Sequence, residues 1–268
     1  MVTPRQSQIK ALAARTTQLE RTIALRARTA QADLDSAVFP TGRLTLESGV
    51  PVSITDFTNA TTIYYTPYVG ATIPIHDGSR WTALEFEELS LALDAHTGHT
   101  GYHQNGKNFD LFVFREETTG ILRLGTGPAW SSNTARGTGA GTTEITRLNG
   151  LYVNAYDIQL RYGSGANDLA TVGSWEATYV GTVRAVINGA THDRNGTPTT
   201  TGGRFLWNAY HRVQRFVTAL SPANNWNYST ASWRIADNDT SHRALYVCGQ
   251  VVDLVEAIAY HMVINSTS

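Results

Sequence analysis

Three closely spaced histidines are the first group in this sequence that could do chemistry. His96, His99 and His103 lie in the segment His-Thr-Gly-His-Thr-Gly-Tyr-His, a spacing that could gather imidazole nitrogens around a metal ion. The segment is rich in glycine, and no cysteine or nearby pair of aspartates completes a ligand set. A flexible polar loop is therefore the favoured interpretation, and we predict no bound metal and no cofactor.

Four carboxylates form the densest acidic cluster of the chain. Glycan cleavage requires two well-placed carboxylates, and Glu85, Glu87, Glu88 and Asp94 are the candidates. Glu85 and Glu87 alternate with apolar residues, which is typical of the solvated face of a strand. A serine hydrolase would need a nucleophile elbow, and the sequence contains no Gly-x-Ser-x-Gly. We predict no catalytic residues and no enzyme, with a polysaccharide depolymerase as the least favoured alternative.

Three aromatic residues near the C-terminus favour binding over catalysis. Trp226, Tyr228 and Trp233 stand among asparagines, a serine and an aspartate. Flat aromatic faces beside planar hydrogen-bonding groups suit the C–H faces and hydroxyl edges of sugars. The competing interpretation is that these rings pack into the body or into a subunit interface.

Two further polar or reactive features favour structural roles. The segment that begins at Asp237 resembles the opening of a calcium loop, but His242 replaces the required glycine and Cys248 replaces the bidentate glutamate. A turn is therefore predicted there. Cys248 is the single cysteine and lies in an apolar run, which predicts a buried structural thiol and excludes an intrachain disulfide.

The composition describes a folded, mostly neutral protein. Of the 268 residues, 41% are hydrophobic and only 16% are charged, and the net charge is −1. Threonine, glycine and asparagine must supply much of the polar surface, and this composition suits strands and tight turns. A charge this close to zero gives no case for a nucleic-acid partner. The absence of a long apolar segment predicts no membrane insertion.

The N-terminal residues differ from everything that follows them. From about residue 7 to residue 37 the chain lacks glycine and proline and is rich in good helix formers. A heptad pattern places its seam at positions that include Ile9, Leu12, Thr16, Leu19, Ile23 and Ala30. Arg26 and Asp33 interrupt the seam, so it spans only two to three heptads. We predict an α-helical coiled-coil stem that aligns subunits, while surface buried between the bodies supplies most of the trimer stability.

An amphipathic helix folded against its own body is the alternative for this segment. The charge pattern opposes it, because six basic and only two acidic residues lie between Arg5 and Asp33. Pro40 and Gly42 then stop the helix. The predicted domains are therefore a stem and anchor at residues 1–40 and a β-rich body at residues 41–268, with a subdomain boundary near residue 165.

Strand-like alternation begins after Gly42. Turn signals separate many short β-branched and aromatic runs, and the strongest hairpin signals are Asp77-Gly78 and Asn149-Gly150. Predicted strands include residues 43–47, 62–69, 71–75, 80–86, 109–114, 120–124, 144–148, 151–154, 178–187, 204–209, 213–218 and 245–252. This pattern predicts a mainly β fold, an antiparallel β-sandwich or a jelly-roll-like body.

Several stretches resemble a family of virion structural proteins of tailed bacteriophages, which form tail or head fibres and spikes. The resemblance runs through most of the chain from Gly42 onward, and no motif in it carries chemistry. Its residues are 42–52, 61–69, 77–78, 81, 179–184, 203–208, 210–213 and 231–234.

The resemblance implies a virion component that is assembled in the host cytoplasm and acts without catalysis. It implies a homotrimer with a β-rich body, and the stem is then the expected attachment to other virion proteins of the head or tail. Host attachment through a surface glycan is a compatible expectation, with the protein acting as a lectin-like receptor-binding module.

Overall fold

The computed structural model describes residues 15–24, 39–197, 200–219 and 243–249, and the fold is mainly β with several antiparallel sheets. This confirms the predicted fold class at that level. Residues 15–24 are α-helical. The strands of the described residues are β1 (Gly42–Thr45), β2 (Phe57–Ala60), β3 (Thr62–Pro67), β4 (Thr72–His76), β5 (Trp81–Glu85), β6 (Leu89–Ala92), β7 (Asn108–Arg115), β8 (Leu122–Ala129), β9 (Ile145–Leu148), β10 (Leu151–Asn154), β11 (Ile158–Arg161), β12 (Leu169–Val172), β13 (Ala177–Arg184), β14 (Thr191–Arg194), β15 (Gly203–Arg204), β16 (Leu206–Asn208) and β17 (Leu245–Tyr246).

The hairpins predicted from turn chemistry are present. β4 pairs with β5 around Asp77-Gly78, and β9 pairs with β10 around Asn149-Gly150. Asn149 and Gly150 both have positive φ angles, 50° and 90°, as a two-residue type I′ turn requires. Asn and Gly adopt this conformation at little cost, so local sequence is enough to set the register of this hairpin.

An eight-stranded sheet is the centre of the body. Its main order is β12-β11-β8-β7-β13-β10-β9, and β16 also pairs with β13. The two central strands, β7 and β13, are buried along almost their whole length. Strands from both sides of residue 165 therefore share this sheet.

Each face of the large sheet is covered by a separate apolar core. Residues of β7 alternate between them, with Leu111 and Val113 facing one core and Phe112 and Phe114 facing the other. The three-stranded sheet β1-β3-β6 and the β4–β5 hairpin supply the first core. The strand β16, the loop around Phe205 and residues 245–248 contribute to the second.

A four-stranded sheet joins distant parts of the chain. Its order is β17-β15-β14-β2, and β15 pairs with β17 in parallel while the other pairs are antiparallel. Residues 243–249 thus pair with β15 and pack against the second core.

Two kinds of strand prediction failed. Residues 213–218 form no strand, because Arg215 bonds the carbonyl of Ser53 and the carboxylate of Asp193 while Arg204 binds the Phe216 carbonyl. The second failure concerns short strands that carry polar residues, which the sequence pattern did not reveal: β2, β6, β11, β12 and β14.

Within the described part of the chain, no helix has the length and apolar character needed to cross a membrane.

Candidate functional site

The predicted stem seam is only partly within the described residues. Thr16, Leu19 and Ile23 lie in the helix at 15–24, whereas the other three predicted seam residues, Ile9, Leu12 and Ala30, lie outside the described ranges. Leu19 is 62% exposed and Ile23 is 58% exposed. Positions four apart lie on one side of a helix. The described helix therefore carries an apolar edge that its own body does not cover.

The predicted glycan-binding residues lie outside the described ranges. These are Trp226, Tyr228 and Trp233, and Asp237 with its turn lies outside them as well. Cys248 is described and is half-buried against the second core. Cys248 therefore lies against apolar residues as predicted, but its side chain is only half-buried and not fully buried.

The histidine segment is anchored by a buried ion pair that the sequence did not reveal. The Arg161 guanidinium lies 3.1 Å from the Asp94 carboxylate, and both side chains are almost fully buried. Arg161 also donates to the carbonyls of Thr100, Gly163 and Gly165. Its donors are thus shared between the histidine segment and the loop after β11. The sequence predicts a flexible polar loop here, whereas these contacts tie the segment to the body.

His103 is buried in this network as a neutral imidazole. The Asp94 backbone N–H donates to its Nδ1 at 2.8 Å, so the ring proton is on Nε2, which reaches the Thr126 hydroxyl at 2.9 Å. Burial lowers the pKa of His103 to about 4, and the nearby Arg161 charge lowers it further than Asp94 raises it. Both nitrogens are thus occupied by bonds that fit only the neutral ring.

Acidification is expected to destabilise the protein through His103. Because its folded pKa lies below the ordinary value of 6.5, the unfolded chain binds the proton more tightly, and stability falls as pH drops from 6.5 toward 4. The full contribution is about 3 kcal/mol. Urea unfolding of the wild type and of His103→Gln at pH 7 and pH 4.5 measures it, since glutamine keeps a donor and an acceptor without titrating.

The wild type is expected to lose more stability than His103→Gln between these two pH values. Equal losses in the two proteins would contradict the assignment. The other buried and partly buried groups of the network, Asp94, Arg161 and His99, are unchanged in both proteins and so cancel in the difference.

The remaining histidines of the segment do not assemble a ligand set. The rings of His96 and His99 stack with centroids 4.1 Å apart, and His99 Nδ1 lies 2.9 Å from the Asp94 carboxylate. Among the residues that the structure describes, no group of three histidines, cysteines or carboxylates could hold a metal ion.

The acidic cluster of the sequence is dispersed by the fold. Glu85 and Glu87 are exposed, as expected for a solvated face. Glu88 accepts bonds from the hydroxyls of Ser48 and Thr66. With Asp94 buried against Arg161, these four carboxylates do not face a common substrate position.

A second buried charge lies on the opposite face of the large sheet. Asp110, on β7, is fully buried and accepts two bonds from Arg136, at 2.6 and 3.0 Å, and one each from the hydroxyls of Thr143 and Thr182. Arg136 stacks over the Trp130 ring with 4.4 Å to its centroid. Burial raises the pKa of Asp110, and the Arg136 charge and the hydroxyl bonds oppose that rise.

This network links loops to the large sheet at the edge of the second core. Arg136 also donates to the carbonyl of Gly249, and the Tyr179 hydroxyl lies within 3.3 Å of Arg136 and 2.7 Å of the Thr182 hydroxyl. The arginine thereby ties the 131–144 loop and residues 243–249 to the sheet. The hydrogen bonds of this network join parts of the fold to one another.

Two aromatic side chains, Tyr156 and Trp175, are exposed on neighbouring loops. Among the four tryptophans that the structure describes, Trp175 alone is exposed, at 41%, and Tyr156 on the neighbouring loop is 44% exposed. Trp175 has a φ of 74°, which bulky residues rarely adopt. The sequence pattern did not predict this site, and its one local signal is a tryptophan inside the turn-forming run at 173–176.

Buried Asn154 holds these two loops together. Its side-chain amide donates to the carbonyls of Tyr156 and Gly173, both at 2.8 Å, and its backbone carbonyl accepts the Trp175 N–H at 3.0 Å. Asp157 adds bonds to the N–H and hydroxyl of Ser174. The backbones that carry the two rings are thus fixed side by side.

No family model, curated protein or solved structure matches this chain. Its function must therefore be argued from the arrangement itself. Two exposed surfaces of the described residues bear on it: the apolar edge of the 15–24 helix and the aromatic loops at Tyr156 and Trp175.

Proposed function

We propose that this protein is a structural component of a tailed-phage particle, a trimeric fibre or spike attached to other virion proteins through its N-terminal stem. Its body is proposed to be sandwich-like or jelly-roll-like and to act without catalysis. The resemblance of residues 42–234 to phage virion proteins motivates the class. The uncovered apolar edge of the helix at residues 15–24 is the observation that carries the oligomeric role.

The exposure of Leu19 and Ile23 argues for partners outside the protomer. A single helix with so narrow an apolar edge is marginal in water, and it gains stability when other helices bury that edge. Folding back onto its own body would bury these side chains, and more than half of each is exposed. Identical helices from other copies offer a matching seam, so self-association is the simplest way to cover it.

The body supports a structural role through the use of its buried polar groups. The two most buried charged networks, at Asp94 and at Asp110, are saturated by internal partners. Catalytic acids and bases need access to a substrate. These groups instead bind loops to the central sheet, as expected for a stable particle component.

Charging the seam is expected to dissociate the oligomer. Light scattering of the full chain is expected to give three times the 29.3 kDa chain mass. Leu19→Lys with Ile23→Lys is expected to lower it toward one chain mass, because the stem must align the subunits before their bodies can bury surface against one another. Three lysine pairs brought together at the axis would repel one another and lose the apolar contact. The matched control, Thr17→Lys with Gln18→Lys, adds the same charge off the seam and is expected to stay trimeric.

Deleting residues 1–36 tests the same role more strongly. The truncated body is expected to lose mass toward the monomer or to fail to enter virions. A truncated body that stays trimeric and is still incorporated into particles would overturn the proposed role of the stem.

Host-surface glycan recognition is a second candidate, and the exposed Trp175 favours it. A receptor-binding role is compatible with a fibre.

A depolymerase remains the least favoured alternative, and turnover of host capsule or lipopolysaccharide by the purified protein would be needed to support it.

A further inference from the structure

We infer that Trp175 and Tyr156 form a binding site for a neutral pyranose sugar. The inference deepens the host-contact role proposed above. It differs from the sequence-based expectation, because neither residue belongs to the aromatic group at 226–233.

The backbone at Trp175 is the first argument. A positive φ places the Cβ of a bulky residue in a conformation that is unfavourable by about 1–2 kcal/mol, and glycine would occupy it freely. The other described non-glycine residues with positive φ are two asparagines and a histidine, types that tolerate this region better. The Trp175 side chain is still 41% exposed, so packing against the fold covers only part of the ring. We therefore assign the exposed part of the indole a binding role in addition to its packing.

The rigidity of the two loops is the second argument. The side chains of Asn154 and Asp157 fix the 155–157 and 173–176 segments to each other through hydrogen bonds to main-chain groups. The Trp175 ring also packs edge to face against His76, with centroids 6.1 Å apart. A ring whose backbone and one neighbour are fixed loses little entropy when a ligand stacks on it.

The charges around the rings select the class of sugar. The two loops and the adjoining 77–80 turn carry three carboxylates, on Asp77, Asp157 and Glu176, and one guanidinium, on Arg80. The turn lies against the second loop, since a Cβ on Gly78 would meet the Glu176 carboxylate at 3.3 Å. Asp77 is paired with Arg80, and one oxygen each of Asp157 and Glu176 accepts an N–H bond within the loops. The second oxygens of Asp157 and Glu176 can accept bonds from sugar hydroxyls, whereas an acidic sugar would be repelled. A neutral hexose or an N-acetylhexosamine fits this surface, and a uronate does not.

Saturation-transfer NMR on the purified full-length protein tests the site. The probes are methyl glucoside, methyl galactoside, methyl mannoside and N-acetylglucosamine, with glucuronate as the charged comparator. The wild type is expected to bind at least one neutral probe and to bind glucuronate more weakly. Trp175→Ala is expected to weaken that binding about tenfold or more.

Three further variants keep the test decisive. Trp175→Gly removes the ring and relieves the positive φ, so it is expected to melt at a higher temperature than Trp175→Ala and still not bind sugar. Phe216→Ala removes a ring that is 69% exposed elsewhere on the body and is expected to bind as the wild type does. Trp226→Ala with Trp233→Ala is expected to keep sugar binding.

The inference is overturned if no neutral probe binds, if Trp175→Ala binds unchanged, or if only the Trp226 and Trp233 double variant loses binding. Because sugar binding is measured on the isolated protein, its failure is separate from failure of the fibre proposal, which is measured by oligomer mass and by virion incorporation.

Discussion

Replacing Arg161 by methionine is expected to lower the free energy of unfolding by about 3–5 kcal/mol. The guanidinium is almost fully buried, and its loss leaves the carboxylate of Asp94 buried without its main counter-charge. It also leaves the carbonyls of Thr100 and Gly165 without their donors. Methionine fills a similar volume, so the change isolates charge and hydrogen bonding from cavity formation. Urea unfolding monitored by tryptophan fluorescence measures the difference.

A surface ion pair provides the matched control for this prediction. Arg123 binds Glu116 at 3.1 Å, but its side chain is 36% exposed. Arg123→Met is therefore expected to change stability by less than about 1 kcal/mol. The double variant Arg161→Met with Asp94→Leu is expected to recover part of the loss, because no unpaired charge then stays buried. Equal effects of Arg161→Met and Arg123→Met would contradict the importance assigned to this pair.

The second large effect is expected at the opposite face of the sheet. Arg136→Met removes the counter-charge of the fully buried Asp110 and the donor to the Gly249 carbonyl. We expect a loss of about 3–5 kcal/mol at pH 7. The loop at 131–144 and residues 243–249 are then held only by their remaining contacts, so hydrogen exchange is expected to quicken in both.

The pH dependence of Arg136→Met separates this mechanism from a simple packing defect. Burial already raises the pKa of Asp110, and without Arg136 nothing of opposite charge opposes that rise. A carboxyl whose folded pKa lies above its unfolded pKa contributes stability at low pH and loses it as pH increases. The variant is therefore expected to be closer to the wild type at pH 5 than at pH 7. A deficit that is the same at both pH values would contradict this explanation.

The sequence predicted the parts of the fold that local chemistry determines. Asp77-Gly78 and Asn149-Gly150 specify their turns through the conformations that these residues prefer, so both hairpins were predicted correctly. Runs of apolar and β-branched residues placed the two central strands β7 and β13. These signals act over a few residues and do not depend on how distant segments meet.

The site residues that were missed depend on contacts between distant segments. Asp94 and Arg161 form an ion pair only because β11 pairs with β8 beside the histidine segment. Asp94 was noted only as part of an acidic cluster and no local pattern marks Arg161, so the histidine segment was predicted to be a flexible polar loop. Trp175 has a similar explanation, since its exposure and its positive φ follow from the position of Asn154. Sequence spacing cannot encode such pairings.

The side chain of Asn208 has a consequence for the order in which the protein matures. Its amide accepts from the Leu44 N–H at 2.7 Å and donates to the Leu44 carbonyl at 3.1 Å, across a separation of 164 residues. A ribosome must therefore make most of the chain before β1 can be closed into the body. Residues 15–24 leave the ribosome long before that moment, with Leu19 and Ile23 uncovered. If the protein assembles as we propose, neighbouring nascent chains on one messenger RNA would meet through residues 15–24 while their bodies are still incomplete.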